Sequence, residues 1–182
     1  YFAAVAVLLA IMMSVLDGTI MNIALPTLAH DFDVTPATAI WIVNAYQIVI
    51  TMTLLSFASL GDIYGYRRIF LIGISVFVGA SVACILSNSF WTLTVSRIIQ
   101  GFGAACIMSV NTALIRLIYP PQILGRGMGV NAMVVAVSAA AGPSIAGSIL
   151  ALGSWHWLFA INIPLGLAAL AIGHRLLPHN PV

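Results

Sequence analysis

Residues 2–28 read FAAVAVLLAIMMSVLDGTIMNIALPTL and contain one charged side chain, Asp17. A helix needs about 20 apolar residues to cross a hydrocarbon core about 30 Å thick, and this run exceeds that length. Of the 182 residues in the chain, 62% are hydrophobic and only 5% are charged. A soluble domain usually carries about a quarter charged residues, so the composition predicts a membrane protein.

Five further apolar runs follow the first one, separated by short polar breaks. Thr35 and Pro36 suit the cap and first turn of the second run. A β-barrel would instead show alternation over segments of about ten residues. We therefore predict an all-α membrane protein in which residues 1–182 form one six-helix transmembrane bundle, with spans near 2–28, 36–60, 69–86, 90–118, 128–152 and 157–177.

The arginines indicate how the chain is oriented in the membrane. Arg67 and Arg68 lie in one break, Arg116 and Arg126 lie in a second, and Arg175 follows the last run. The breaks between these hold no Arg, and the chain has no Lys. Short loops rich in Lys and Arg stay on the cytoplasmic side. The pattern predicts an integral protein of the cytoplasmic membrane with both ends of this segment in the cytoplasm.

Composition also argues against several classes of function. The net charge of +2 comes from scattered residues and does not indicate a nucleic-acid partner. Cys84 and Cys106 lie within apolar runs, where we interpret them as small core hydrophobes. No His or Cys pair has the spacing of metal ligands, and no paired carboxylates or Ser/His constellation indicate catalysis. We expect membrane lipid around the chain, no metal or organic cofactor, and no enzyme activity.

Asp17 lies near the middle of span 1. A charged carboxylate at that depth costs about 2.5–3.5 kcal/mol on insertion scales, so it should face a cavity or a partner. Ionisable residues in membrane spans usually mark ion or substrate pathways, which predicts that Asp17 takes up and releases a proton. The alternative is a packing role, with the carboxyl group hydrogen-bonded to a neighbouring helix.

Arg97 lies about two turns into span 4. Its guanidinium group cannot lose its proton, so it must be paired, hydrated or extended to the membrane interface. Gln100 and Gly101, at i+3 and i+4, share its face of the helix. We assign Gln100 and Gly101 to the lining of a cavity, and Arg97 together with Asp17 to proton coupling or substrate binding.

A polar stripe marks span 2. Asn44, Gln47 and Thr51 stand at i, i+3 and i+7, which places them on one face of an otherwise apolar helix. A cavity wall would need such a stripe, although hydrogen bonds between helices explain it equally well. We assign these three residues, together with Asn22 of span 1, to the cavity lining.

Span 5 is rich in small residues. It carries Gly129, Ser138, Gly142, Pro143 and Gly147. Small residues at close spacing let helices approach one another, and a proline kinks or weakens a helix. Packing alone explains this pattern fairly well.

Four ordered motifs resemble the N-terminal half of a major facilitator superfamily transporter, and specifically the fourteen-span drug:proton antiporter branch. They are LDGTIMNIALP at 16–26, GDIYGYRR at 61–68, RIIQGFGAA at 97–105 and GPSIAG at 142–147. WHW at 155–157 and NIPLG at 162–166 are also typical of that branch. The family pattern of the second motif opens earlier, with a glycine where this chain has Ala58, and it has basic residues where this chain has Ile63 and Tyr66. The pattern of the fourth motif has glycines where this chain has Ser138 and Ala146.

The resemblance implies roles for several of these residues. Asp62, Gly65, Arg67 and Arg68 would belong to a cytoplasmic latch that opens when the transporter changes its facing state. Arg97 would tune protonation near the cavity. The bend at Pro143 and the small residues around it would favour exchange over uniport.

The resemblance also implies a second, C-terminal half that is absent from these 182 residues. In this family the substrate site lies between two bundles, near the middle of the membrane. The functional unit would therefore be a longer polypeptide or an assembly.

These residues and the resemblance together predict proton-coupled efflux of lipophilic cations, such as quaternary ammonium biocides and dyes. Asp17 would hold either a proton or a cation, and this mutual exclusion would couple the two fluxes, with the proton as coupling ion. Two alternatives remain open. The chain could belong to a proton-coupled transporter of a neutral or anionic metabolite, or it could be a membrane scaffold without transport activity.

Overall fold

The computed structural model describes residues 2–179. This part of the chain is helical from end to end, with short connections. The α-helices are α1 (Phe2–Asp31), α2 (Pro36–Ala39), α3 (Trp41–Tyr64), α4 (Tyr66–Ile85), α5 (Phe90–Ile118), α6 (Leu124–Leu152), α7 (His156–Ala160) and α8 (Asn162–Leu176). A short 3-10 helix, Pro121–Ile123, leads into α6.

Within residues 2–179, six helical segments are long and apolar enough to cross a membrane. The first, third and fourth are α1, α4 and α5. The second combines α2 with α3, the fifth combines the 3-10 helix with α6, and the sixth combines α7 with α8. The predicted all-α architecture with six spans is therefore confirmed.

The break between the second and third spans is shorter than the sequence predicts. The predicted spans leave residues 61–68 between helices, but α3 continues through Tyr64 and α4 begins at Tyr66. Gly65 alone joins the two helices, at a φ of 98° that L-residues with side chains rarely adopt. The glycine therefore permits a sharp turn, while polar residues on either side extend the helices beyond their apolar parts.

Local signals explain where α5 begins. Ser89 caps the helix, because its hydroxyl oxygen accepts a hydrogen bond from the Thr92 amide at 3.3 Å. The Ser89 amide in turn donates to Thr92 Oγ1 at 3.2 Å, which completes a capping box. These two bonds satisfy amides that the first turn of a helix otherwise leaves unpaired.

Among the six spans of the described residues, α1 and α5 are the most buried. Helix α5 packs mainly against α3 and α4, whereas α1 packs mainly against α6 and α8. Two apolar clusters form the core. In α1, one cluster ends at Met13 and the other begins at Leu16, so Asp17 lies where the two clusters meet.

Successive spans run in opposite directions. The junction of α3 with α4, the junction of α5 with α6, and the end of α8 therefore lie at one end of the bundle. Two contacts agree with this arrangement. Gly61 of α3 lies close to Val110 of α5, and Gly173 of α8 lies close to Phe70 of α4. We call this the arginine-rich end, because it carries the side chains of Arg67, Arg68, Arg116, Arg126 and Arg175.

Candidate functional site

Asp17 of α1 and Arg97 of α5 form an ion pair inside the bundle. Arg97 Nη1 donates a hydrogen bond to Asp17 Oδ2. Asp17 is 2% exposed and Arg97 is 0% exposed. Of the arrangements that the sequence allows for Arg97, the structure shows pairing, because the guanidinium turns inward instead of reaching an interface.

Two amide side chains and a hydroxyl extend this pair into a polar cluster. Gln100 Oε1 accepts from Arg97 Nη1 at 2.7 Å, and Gln100 Nε2 donates to Asp17 Oδ1 at 3.4 Å. Asn162 Nδ2 donates to the same Asp17 oxygen at 3.0 Å. Ser81 Oγ accepts from Gln100 at 2.8 Å and from Asn162 at 3.3 Å. We call these five residues the Asp17 cluster.

The Asp17 cluster joins four helices and suits an ionised carboxylate. Its members come from α1, α4, α5 and α8. Three donors, from Arg97, Gln100 and Asn162, point at the two oxygens of Asp17. A buried carboxylate is stable only when it is paired and hydrogen-bonded in this way.

Tyr46 of α3 covers the other side of the guanidinium. The Arg97 Cζ atom lies 4.0 Å from the centre of the Tyr46 ring, which is a cation–π contact. Arg97 Nε and Nη2 have no hydrogen-bond partner among the described residues. The face of the ring therefore contributes part of the stabilisation that those nitrogens lack.

A cavity of about 270 Å³ opens beside the cluster, between α1, α3 and α5. Its polar lining comes from uncharged side chains, which are Ser14, Thr19, Asn22, Tyr46 and Gln47. Tyr46 contributes to both sites, since its ring contacts Arg97 and its residue also lines the cavity. It thus separates the buried ion pair from the open surface.

The structure brings only some of the predicted cavity residues together. Asn22 and Gln47 line the cavity, whereas Asn44 and Thr51 lie on α3 outside its lining. Gln100 faces away from the cavity, into the Asp17 cluster. Gly101 lies where α5 meets α3, because a Cβ atom there would be 3.0 Å from the Tyr46 carbonyl oxygen.

The four residues assigned to the latch lie at the arginine-rich end. Asp62 Oδ1 accepts a hydrogen bond from Tyr66 Oη at 2.5 Å. Arg67 instead reaches α8, where its Nη2 donates to the His174 carbonyl oxygen at 2.5 Å. Arg68 is exposed, and Gly65 forms the turn. Among the described residues, Asp62 is thus bonded within its own junction and Arg67 to the sixth span.

The residues assigned to the antiporter motif divide between two faces of α6. Ser138 and Gly142 are buried, and a Cβ atom at Gly142 would lie 2.0 Å from Thr19 Oγ1 of α1. Added Cβ atoms at Gly129 and Gly147 would meet nothing within 4 Å. Pro143 is exposed, and α6 remains one helix through it.

Sequence reasoning missed two members of this region, Ser81 and Tyr46. Both lie in apolar runs, where a serine or a tyrosine is too common to stand out. The Ser81 hydroxyl also donates a hydrogen bond to the carbonyl oxygen of Phe77, four residues earlier in the same helix. Serines in helices commonly make this bond, so it gives no sequence signal for a site. The sequence marks Asn162 through the NIPLG motif and, with Pro164, as a weaker case like that of span 5, but gives no sign of its contact with Asp17.

Comparison with known proteins places this arrangement in a family. The family model for the Major Facilitator Superfamily matches residues 7–182. The chain is 58% identical over 180 residues to the uncharacterized transporter YebQ of Escherichia coli K12, covering 99% of this chain and 39% of that protein. It is 37% identical to the riboflavin transporter RibZ of Clostridioides difficile, covering 96% and 38%.

A third relative is the tetracenomycin C resistance and export protein of Streptomyces glaucescens, at 38% identity over 92% of this chain and 31% of that protein. The chain thus spans between 31% and 39% of the length of these relatives.

Solved structures agree on the fold. A bacterial homologue of the lysosomal transporter Spinster superposes with a TM-score of 0.77 at 16% identity, over 95% of this chain and 41% of that one. The human organic anion transporter MFSD10 gives 0.78 at 16% identity, over 98% and 47%. The six helices match less than half of each structure, as one of two bundles would. The chain belongs to the Major Facilitator Superfamily, and its six helices are consistent with the N-terminal bundle of such a transporter.

Proposed function

We propose that the complete protein is a proton-coupled exporter of lipophilic small molecules, and that Asp17 carries the proton. The observation behind this proposal is the buried ion pair between Asp17 and Arg97. Ionisable residues within membrane spans usually serve ion or substrate pathways. The relatives include a drug export protein and a vitamin transporter, both of which move small molecules.

The pair supplies a physical route to coupling. When Asp17 takes up a proton, Arg97 keeps its charge and loses its counterion. Leaving one member of a buried pair uncompensated costs about 3–5 kcal/mol in the same arrangement. Protonation therefore favours a different arrangement of α1 and α5, in which Arg97 finds water or another partner. This is how binding a proton shifts a transporter between two states.

The available driving force is sufficient for export. A gradient of one pH unit supplies about 1.4 kcal/mol per proton, and 100 mV supplies about 2.3 kcal/mol per charge. Together they support a concentration ratio of several hundred, on the order of 500, if each cycle moves one proton with its charge.

The burial of Asp17 bears on how a cationic substrate could be coupled to the proton. In the lipophilic-cation hypothesis, a quaternary ammonium compound or dye competes with the proton for Asp17. A cation would then have to reach a carboxylate that is 2% exposed and already paired with Arg97. Competition therefore requires that the pair open first, so coupling through a change of state fits the geometry better than direct competition.

A second candidate is a neutral aromatic substrate. The cavity beside the cluster has an uncharged polar lining, which includes Asn22 and Gln47. Hydroxyl and amide groups of this kind orient a neutral molecule by hydrogen bonds. The relative that is named a riboflavin transporter also supports a neutral aromatic substrate.

The conformational latch and the antiporter motif remain part of the proposal. Asp62, Gly65, Arg67 and Arg68 lie where α3 meets α4 and where Arg67 reaches α8. Movement between states would break the Arg67 contact with the His174 carbonyl. The close approach of Gly142 to α1 would transmit movement of α6 to the helix that carries Asp17.

The test is exchange in inverted membrane vesicles that contain the full-length transporter. Asp17→Asn should abolish pH-driven uptake of the transported compound, because the amide cannot take up a proton. Asp17→Glu, which keeps a carboxylate, should retain part of it. Asp31→Asn makes the same chemical change at an exposed site and should transport normally.

A panel that contains a cationic dye and a neutral flavin separates the two substrate classes. Exchange of the dye alone supports the cation class, and exchange of the flavin alone supports the neutral class. Normal exchange by Asp17→Asn with either compound would show that Asp17 does not carry the proton.

A further inference from the structure

An apolar groove runs along the outside of the bundle between α4 and α8. It has a volume of about 780 Å³. Its lining includes Leu71 and Ile72 of α4, and Leu167, Leu170 and Ala171 of α8. Ile72 is 49% exposed and Leu167 is 52% exposed, so the groove is open to the surroundings of the bundle. In a membrane protein such a surface meets lipid chains.

The groove ends in a basic cavity of about 370 Å³ at the arginine-rich end. Leu71, Ile72 and His174 line both spaces, so the two are continuous. Arg67, Arg68 and His179 line the basic cavity, and Arg175 lines the groove beside it. None of the four aspartates of the chain lines either space.

Two of these arginines are available to a ligand. Arg67 is engaged, since its Nη2 donates to the His174 carbonyl and its Nη1 contacts His179 Nε2. Arg68 and Arg175 are exposed and have no side-chain hydrogen bond or ion pair within residues 2–179. A buried atom, Arg67 Nε, also lacks a hydrogen-bond partner there.

A helix end adds to the positive field. The first turn of α4 begins at Tyr66 and holds no acidic residue. The amides of that turn give the helix start a partial positive charge. Gly65, which precedes it, lines the basic cavity. The end of the apolar groove therefore combines Arg67, which is held by α8, with Arg68 and Arg175, which are unpaired among the described residues, and with the start of a helix.

We propose that this surface binds one anionic phospholipid, with its phosphate at Arg68 and Arg175 and an acyl chain in the α4–α8 groove. Arginine matches phosphate oxygens in charge and in geometry. Basic pockets between membrane helices at the positively charged end are suited to anionic headgroups. The groove residues are distinct from the Asp17 cluster, so this inference does not depend on the proposed proton coupling.

The first experiment measures lipid retention. The full-length transporter is placed in nanodiscs of phosphatidylethanolamine with a minor fraction of phosphatidylglycerol, and retained lipid is identified by native mass spectrometry. Arg68→Gln with Arg175→Gln should lower phosphatidylglycerol retention about thirtyfold. The matched control, Arg116→Gln with Arg126→Gln, removes the same charge at the same end and should retain the lipid. Equal losses in both pairs would overturn the proposal.

A second experiment addresses the groove without altering charge. Ala171→Trp should fill the groove and release phosphatidylglycerol, whereas Ala140→Trp, on an exposed face of α6, should not. Retention by Ala171→Trp would contradict an acyl chain in the groove. If millimolar inorganic phosphate displaces the lipid completely, the site takes free phosphate and the proposal fails.

The occupant can also be identified directly. A photo-crosslinking residue in place of Ile72 should form an adduct with the mass of phosphatidylglycerol. An adduct with another segment of the transporter would mean that protein covers the groove, which would also overturn the proposal.

Discussion

At the scale of single residues, Asp17 and Arg97 depend on each other because both are buried. We expect Arg97→Gln alone, or Asp17→Asn alone, to lower the stability of the full-length transporter by about 3–5 kcal/mol. The double variant should lose less than the sum, since no uncompensated charge remains. Thermal unfolding of the purified proteins in detergent provides the double-mutant cycle. Additive losses would show that the two side chains do not interact.

Tyr46 offers a second test at this scale. The contact with Arg97 uses the ring, and Tyr46 Oη has no hydrogen-bond partner among the described residues. Tyr46→Phe keeps the ring and removes a buried hydroxyl without a partner among the described residues, so it should leave stability unchanged or raise it by about 1 kcal/mol. Tyr46→Leu removes it and should cost at least about 1–2 kcal/mol, because a desolvated cation–π contact is lost. The melting temperatures of the two variants provide the measurement, and equal values would contradict the contact.

The sequence identifies Asp17 and Arg97 individually, because a charged residue inside an apolar run is conspicuous. It does not reveal that they pair, since they are 80 positions apart and only the packing of α1 on α5 joins them. The polar stripe on span 2 fits a cavity wall and hydrogen bonds between helices equally well, and of its three residues Gln47 lines the cavity. Helical periodicity alone cannot tell that Asn44 and Thr51 lie outside that lining.

At the scale of elements, the contact between α1 and α6 depends on Gly142. A Cβ atom there would lie 2.0 Å from Thr19 Oγ1, so Gly142→Ala should force the helices apart and cost about 1–3 kcal/mol. Gly147→Ala, on the same helix, meets nothing within 4 Å and should be neutral or slightly stabilising. Thermal stability of the two variants is compared. Equal effects would mean that α6 does not approach α1 at this glycine.

Element boundaries show where sequence reasoning reaches its limit. Apolar length predicts the six spans, because the hydrocarbon core requires that length. It does not predict helix ends, since helices extend past the apolar region. The motif at 61–68 reads as a loop because of its charges and glycines, yet a single residue, Gly65, separates α3 from α4. Only the backbone angle at that glycine shows the turn.

At the scale of the whole molecule, the arginine pattern predicts that the arginine-rich end faces the cytoplasm. A cysteine introduced at Gln122, at that end, should resist a membrane-impermeant thiol reagent in intact cells. A cysteine at Asn88, at the opposite end, should react. The native Cys84 and Cys106 are buried and should contribute little labelling. Labelling at Gln122 but not at Asn88 would reverse the orientation.

The superfamily follows from ordered motifs and the six spans from apolar length, whereas the activities of the relatives belong to longer chains. The chain spans 39% of YebQ, and a site between two bundles takes residues from both. Substrate class is therefore an experimental question for the complete polypeptide.

In the proposed mechanism, Asp17 holds the proton that substrate binding releases. The most direct measurement is proton release from the purified full-length transporter in weakly buffered detergent solution when a transported compound is added. We predict release from the wild type and from Asp31→Asn, and none from Asp17→Asn. Equal release from Asp17→Asn and the wild type would contradict the claim.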